Sequence, residues 1–438
     1  MRQVTVREYA LLTACAEPKE QEPNQLDAAE ISESAYEYLC DLAAGFSKNG
    51  YNLLQIAGRK RLKLDNYVGV IETKCGTRLE ILPKHIEDAT DAEVPRMLLC
   101  KMLATALNLP NREVGAADLK RYKRPLHEWI ISQFLEAFEK LISKGLRFEY
   151  QRIEDEQKYL RGQLDIARRM RQPVGREHIF PIRHDIFTPD RAENRLLRAA
   201  LERICRVTQD PQNWRLAQEL RLLTAEIPTS RDIQQDFKKW QSGRLLAHYQ
   251  EIKPWCELVL GQFMPVTVQG DWRGISLLFP MEKLFESYVA AQLKKQLIPN
   301  ASLRTQVQNE HLCHHDSSDI FRLKPDLKIE HQGQNIILDT KWKRINIKAK
   351  RYDLKDDDLR QMFAYSHFYL QHQGDIVLIY PKWAGFEKAL PVFHFRKTDK
   401  LSRLWVVPFD LDDDKLVLPE DYSDNIYQLS DLIQASLT

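Results

Sequence analysis

Lys324-Pro325-Asp326-Leu327-Lys328-Ile329 and Ile336-Ile337-Leu338-Asp339-Thr340-Lys341-Trp342-Lys343 are the two stretches on which the reading of this chain turns. Both are short apolar strands. The polar, glycine-containing His331-Gln332-Gly333-Gln334-Asn335 between them reads as a turn. Antiparallel pairing about that turn brings Asp326 near Asp339, because both lie at the ends away from it. The two-residue period of a strand puts Asp339 and Lys341 on one face, with Thr340 between them on the other.

Working outward, a helix is expected over residues 281–293 and strands near 303–307, 323–330 and 335–340. A second helix follows over 354–370, then strands at 375–380, 392–396 and 404–407, so helices and strands alternate as in an α/β domain. The chemistry suited to Asp326, Asp339 and Lys341 is phosphodiester hydrolysis. Two carboxylates bind Mg²⁺, a hard cation that prefers oxygen ligands and keeps several waters. The ion polarises the phosphate and acidifies a bound water. A lysine two residues beyond one carboxylate orients that water or offsets developing negative charge. Asp326, Asp339 and Thr340 are the expected metal-binding residues. Gln361 and Tyr365 are i,i+4 neighbours on the second helix, as Glu282 and Glu286 are on the first, so each pair shares a helix face.

Upstream the texture differs. Residues 91–268 read as mainly helical. Pro125 starts a helix with Trp129, Ile130, Phe134, Phe138, Leu141 and Ile142 on one face, stopped by Gly145. Residues 146–153 and 159–166 alternate around Glu154-Asp155-Glu156, which reads as a charged hairpin turn between helices. Leu196, Leu197, Ala200, Leu201 and Ile204 form the next apolar stripe, read as core packing. Residues 1–90 form a small α+β module with a helix over 31–46 and a hairpin of 67–71 and 78–82 around Cys75-Gly76, closed by Pro83 and Glu87-Asp88. The basic run Arg59-Lys60-Arg61 with Lys63 suits either phosphate contact or a charged, protected strand edge.

The 438 residues suggest about three domains at roughly 150 residues each, here 1–90, 91–268 and 269–438. With 64 Lys+Arg against 62 Asp+Glu the net charge is +2, so any nucleic-acid surface must be a local patch. The seven cysteines are scattered without a CxxC pair, which points to reduced thiols and a cytoplasmic setting. His311, Cys313, His314 and His315 match no common zinc spacing and read as a solvated loop. Neither a signal peptide nor a membrane span is expected.

Pro325-Asp326 with Asp339-Thr340-Lys341 resembles the PD-(D/E)xK nuclease superfamily. The resemblance implies an αβββαβ restriction-endonuclease-like core for residues 269–438. In the RecB-like group a QxxxY element lies near the metal, which here is Gln361 and Tyr365. The superfamily also places a glutamate of the preceding helix beside the metal, and Glu286 is favoured over Glu282. The implied catalytic set is therefore Asp326, Asp339, Lys341, Gln361 and Glu286.

Leu284-Phe285-Glu286-Ser287-Tyr288, Ile337 through Trp342 and Asp358 through Tyr365 together look like the McrC family of nuclease subunits. So do Tyr159 through Asp165, Asp185 through Arg195, Tyr67 through Ile71 and Glu80 through Lys84. The resemblance implies a modification-dependent, methylcytosine-type restriction complex acting on double-stranded DNA. McrC stimulates a hexameric McrB AAA+ GTPase through a finger inserted in its ring. By position the finger is the β interruption at 146–190, with Arg161, Arg168, Arg169 and Arg171 as its candidate partner-binding residues. The chain has no GxxxxGK[ST] loop, so GTP is expected on the partner. Residues 1–90 look like a module that shorter family members lack. Double-strand scission needs two active sites or successive nicks, so dimerisation of complexes through this subunit is a further expectation. Two other readings stay open: a non-enzymatic adaptor that activates an NTPase ring, and an autonomous nuclease of another defence system.

Overall fold

The computed structural model describes residues 2–22, 25–48, 52–85, 91–109, 124–261, 277–395 and 402–418. Packing divides the chain in two rather than three: Met1–Lys123 with Leu278–Thr438, and Arg124–Leu277. Residues 1–90 are not a separate body, because their buried side chains pack within the same unit as the carboxy-terminal region. The expected boundaries at 90 and at 268/269, and Glu87-Asp88, lie outside the described residues.

In the first unit a seven-stranded sheet is ordered Ser302–Thr305, Leu327–His331, Gln334–Thr340, Gly374–Pro381, Ser402–Asp410 and Phe393–His394, with Lys415–Leu416 also paired to Ser402–Asp410. Leu327–His331 and Gln334–Thr340 pair antiparallel, Leu327 opposite Leu338. Gln334–Thr340 then runs parallel to Gly374–Pro381, with Asp339 opposite Leu378. The parallel pairing is possible because the helix Asp356–Leu370 supplies the crossover. With the helix Met281–Gln296 ahead of the first strand, the order is the expected αβββαβ. One element departs from expectation. Residues 310–323 are an antiparallel hairpin, Glu310–His315 with Ser318–Leu323, rather than a loop. Its polar sequence reflects exposed faces, not absent pairing.

The same unit holds two four-stranded sheets. In one, Arg2–Arg7 runs parallel to Thr77–Leu82, which pairs antiparallel with Tyr67–Glu72; Leu277–Pro280 is the fourth strand. In the other, Leu11–Cys15 lies between Ala28–Ser32 and Arg61–Leu64, and Leu54–Gly58 forms an edge. The helix Glu33–Lys48 buries Ala35, Leu39, Leu42 and Phe46, four residues at helical spacing. In the basic run, Lys60 is ion-paired to Glu33 at 2.5 Å.

The second unit is helical around Trp129, Phe134, Phe138, Leu197, Leu201 and Trp255, all buried. The rings of Trp129 and Trp255 meet edge to face at 5.5 Å. Its helix Leu126–Lys144 begins after Pro125 and ends at Gly145, whose φ of 90° suits glycine. The β interruption is three-stranded, with Phe180–Thr188 between Glu149–Gln157 and Gln163–Leu164. The expected turn at Glu154-Asp155-Glu156 is corrected: these residues continue the first strand. Glu154 lies opposite Arg183 and pairs with it at 3.0 Å, and Glu156 pairs with Arg176 at 3.0 Å. A charge run read as a turn is thus an exposed strand matched by cations.

Gly162 sits at φ +75°, where an added Cβ would stand 2.5 Å from the carbonyl oxygen of Arg183 and 2.6 Å from the Cβ of His184. Both conformation and contact exclude a side chain there. Gly162→Ala is expected to cost more than about 1 kcal/mol, read as faster amide exchange in 149–188. Unchanged exchange would refute this account of the turn.

Among the described residues no helix is long and apolar enough to cross a membrane.

Candidate active site

The register Leu327–Leu338 places Asp326 and Asp339 opposite each other, one step past the last pair of the ladder. Pro325 biases the backbone of Lys324 towards an extended conformation. The Asp326 carboxylate is fixed by Thr340, which donates its backbone N–H to Oδ2 at 2.7 Å and its hydroxyl to the same oxygen at 2.8 Å. Thr340, expected in the metal set, is thereby tied to a carboxylate of that set.

Asp339 is only 1 % exposed. Lys341 Nζ lies 2.5 Å from its Oδ2, a close ion pair. No hydrogen-bond donor is aligned on that buried oxygen. Burial, and next the charge of Asp326, push the Asp339 carboxyl up to about 7 against the pull of Lys341. Burial alone would lower the Lys341 ammonium, but Asp339 and Asp326 outweigh it and raise it.

Lys341 Nζ also donates to Gln361 Oε1 at 3.3 Å. Gln361 Nε2 donates to the Tyr365 hydroxyl at 2.7 Å, and that hydroxyl donates to the carbonyl of Lys324 at 2.8 Å. The i,i+4 pair therefore links the lysine head to the backbone just before Pro325-Asp326. Glu286 is half-buried; burial and then the Asp326 charge raise its carboxyl, and Gln306 donates to its Oε1 at 2.9 Å. Glu282 is exposed, and its charge acts on Tyr9 instead. The structure thus brings Asp326, Asp339, Lys341, Gln361 and Glu286 together.

Asp358 was missed as a site residue. Its charge reaches Asp339 and Lys341. In sequence it hides in the run Asp356-Asp357-Asp358, which looks like ordinary acidic dressing of a helix start. Its spacing of three from Gln361 was the available signal.

Among the described residues, no group of three or more His, Cys, Asp or Glu is arranged to hold a metal ion. His311, Cys313, His314 and His315 therefore form no such set. The Asp326–Asp339 pair still fits Mg²⁺, which binds through one or two carboxylates and keeps its waters. The buried Asp339 carboxylate already draws the Lys341 ammonium to 2.5 Å, and the neighbouring Asp326 charge adds the second oxygen donor that a divalent cation would use.

Of the four candidate partner-binding arginines, Arg161 and Arg171 are exposed. Arg168 pairs with Glu154 at 3.2 Å. Arg169 donates to the carbonyls of Ile179 and Glu177, each at 2.6 Å, and lies over the Phe180 ring, so it braces its own loop.

The strand end beyond Lys341 is anchored by Glu8. Trp342 Nε1 and the backbone N–H of Lys84 each donate to Glu8 Oε1 at 2.8 Å. Burial raises this carboxyl from 4.5 to about 7. The folded state therefore binds the proton more tightly, and stability falls as pH rises from about 4.5 to about 7. Glu8→Gln keeps the acceptor and removes the charge. It is expected to raise stability by about 1–3 kcal/mol at pH 8 and to change little near pH 4. Calorimetry at both pH values checks this; a Gln variant no more stable at pH 8 would contradict it.

An α/β protein with two carboxylates and a lysine at one end of a mixed sheet is the class that fold and site define. Residues 62–381 match the family model described as McrBC 5-methylcytosine restriction system component, and the chain belongs to that family. No curated protein matches it. Its fold is similar to a chain of the refined half-complex from a tetradecameric assembly of Thermococcus gammatolerans McrB AAA+ hexamers with bound McrC. That match has 20% identity and a TM-score of 0.69, covering 93% of this chain and 94% of that one. A chain of the Thermococcus gammatolerans McrBC complex matches at 20% identity and a TM-score of 0.51, covering 67% of this chain and 87% of that one. Coverage of 93% means that most of residues 1–90 have a counterpart in the first of these folds.

Proposed function

We propose that this chain is a McrC-type nuclease subunit of a modification-dependent restriction system, cutting double-stranded DNA with Mg²⁺ under the control of a separate AAA+ GTPase. The observation that carries this reading is the buried Asp339 with the Lys341 ammonium 2.5 Å from its Oδ2, beside an Asp326 fixed by Thr340. An adaptor without chemistry has no use for so costly a cluster of buried charge.

Asp326 and Asp339 would hold Mg²⁺, which when bound supplies Lewis acidity and an acidified water. Thr340 holds Asp326 in place for that task. Lys341 offsets charge gathering on the phosphate, and Gln361 fixes the direction of its ammonium group. Glu286, raised by burial and by Asp326, suits a supporting position on the same rim rather than a strong charge of its own.

The partner reading rests on family membership and on the titles of the similar structures, in which McrC is bound to McrB AAA+ hexamers. Within this chain the β interruption is the best candidate for engaging such a ring. It exposes Tyr150, Tyr159, Leu160, Ile166, Met170 and Phe187 together with Arg161, Arg168 and Arg171. The sequence has no phosphate loop, so GTP belongs to the partner. A cytoplasmic setting follows from that task.

The test is reconstitution with an McrB-type AAA+ GTPase. Methylcytosine-containing plasmid should be linearised only with this chain, partner, GTP and Mg²⁺ together. Stimulated GTP hydrolysis with no scission of any modified substrate would favour the adaptor. Cutting by the isolated chain would favour the autonomous nuclease.

A further inference from the structure

Beside the active site, a cleft of about 280 Å³ is lined by Glu8, Tyr9, Lys84, His85, Trp342, Lys343, Arg344 and Pro381. It lies at the small end of ligand clefts, ~300–1,000 Å³. On its floor Glu8 is fully buried; Oε1 accepts from Trp342 and Lys84, whereas Oε2 has no hydrogen-bond partner. Such an oxygen, taken from water without compensation, is costly unless a ligand completes it.

Three further features narrow the ligand. The cleft has aromatic walls: the rings of His85 and Trp342 lie 6.0 Å apart, and Tyr9 is 42 % exposed. It also has a cationic rim of Lys84, Lys343 and Arg344. Each of these has a protein partner, respectively Asp27 at 3.3 Å, the carbonyl of Asp353 at 2.5 Å and the carbonyl of Lys84 at 2.9 Å. Lysine has three N–H donors and arginine five, so one such contact does not exhaust them. Finally, Trp342, Lys343 and Arg344 directly follow Lys341. Two residues of extended chain span at most ~7 Å, so the rim begins within about two nucleotide steps of a phosphate held at Lys341.

We propose that this cleft is a nucleotide subsite, taking one unstacked base of the cut strand against Tyr9 and Trp342, with its phosphate at the Lys84–Lys343 rim and its edge at Glu8 Oε2. The proposal deepens the nuclease reading and rests on it. Aromatic stacking tolerates any base, whereas the Glu8 carboxyl offers one polar contact to the base edge. Burial keeps this carboxyl up at about 7, so its neutral form is accessible near neutrality and supplies an O–H donor. A bare anion would use the rim but leave the aromatic walls and the buried oxygen idle.

Photocrosslinking tests the proposal. The full chain with its AAA+ partner is loaded with duplex DNA carrying 5-iodouracil at successive positions around the cut, with Ca²⁺ replacing Mg²⁺. Crosslinks should map by mass spectrometry to Tyr9, His85 or Trp342, from one or two positions beside the cut only. Tyr9→Ala should weaken DNA binding roughly 5- to 100-fold, while Glu8→Gln, which keeps a donor, should retain the crosslink. If the same preparation cuts DNA in Mg²⁺ and every crosslink falls elsewhere, the subsite is refuted and the nuclease reading stands. If the complex neither binds nor cuts DNA, both fall.

Discussion

On the proposed function, Asp339→Ala is expected to lower DNA scission by at least about a thousandfold while leaving the protein folded and able to engage its partner. The magnitude follows from what the carboxylate would do. Losing one preorganised electrostatic contact at a reacting phosphate typically costs 10²–10³ in rate, and Asp339 would serve twice, as an oxygen ligand for Mg²⁺ and as the ion that positions Lys341 at 2.5 Å. The expected integrity of the fold follows from the same burial. A carboxyl pushed up to about 7 by desolvation is destabilising when ionised, so its removal relieves that cost at pH 8. Lys341 loses its closest anion but keeps Gln361 and about a quarter of its side-chain surface in solvent. The variant should therefore melt within a few degrees of wild type and still stimulate GTP hydrolysis. Gel assays of plasmid cleavage beside GTPase assays of the same complex read both halves. Cutting at the wild-type rate would remove Asp339 from the centre. Loss of GTPase stimulation together with cutting would mean a structural rather than chemical role.

Much of this candidate site is legible in the sequence, for a simple reason. Strand period and turn chemistry are local, although the turn proves tighter than the five polar residues 331–335 suggested: His331 pairs with Gln334, and the two-residue turn Gln332-Gly333 sets Asp326 against Asp339. The i,i+4 rule likewise placed Gln361 with Tyr365, and Glu286 on a face of its helix. Other features depend on which surface meets which, and these were not readable. Glu154-Asp155-Glu156 has the composition of a turn, yet Arg183 across the ladder and Arg176 from the segment before that strand match its charges, and it stays extended. The 310–323 segment is polar because both faces of its hairpin are largely exposed, so alternation carried no signal. Glu8 is 334 positions from Trp342, and no spacing rule connects them. The same long-range packing explains why the amino-terminal residues and the carboxy-terminal sheet form one unit instead of two.

Arg96→Met should be among the most damaging single changes outside the active site, costing about 3–5 kcal/mol. Thr77–Leu82 is buried along its whole length, so Glu80 can ionise there only with strong partners. Arg96 provides them in a two-pronged grip, Nε to Oε1 at 2.8 Å and a terminal nitrogen to Oε2 at 2.7 Å, and the Thr5 hydroxyl also donates to Oε2 at 3.0 Å. Both side chains are under 10 % exposed. Burial lowers the Arg96 guanidinium, but its hydrogen bonds and charge interaction with Glu80 more than compensate and raise it, so the arginine stays charged. Methionine fills the volume and strands the carboxylate. The consequence reaches the active site through packing, because the helix Glu93–Ala106, which carries Arg96, lies against Met281–Gln296, which carries Glu286. Denaturant titration followed by amide exchange should show early opening of 77–82 and 93–106, and cleavage should become heat-sensitive before the second unit unfolds. Pairing Arg96→Met with Glu80→Leu separates the causes: the double variant should recover most of the loss, since an apolar pair of similar volume often replaces a buried ion pair without cost. A double variant as unstable as the single one would show that the arginine acts through its shape and not by neutralising Glu80.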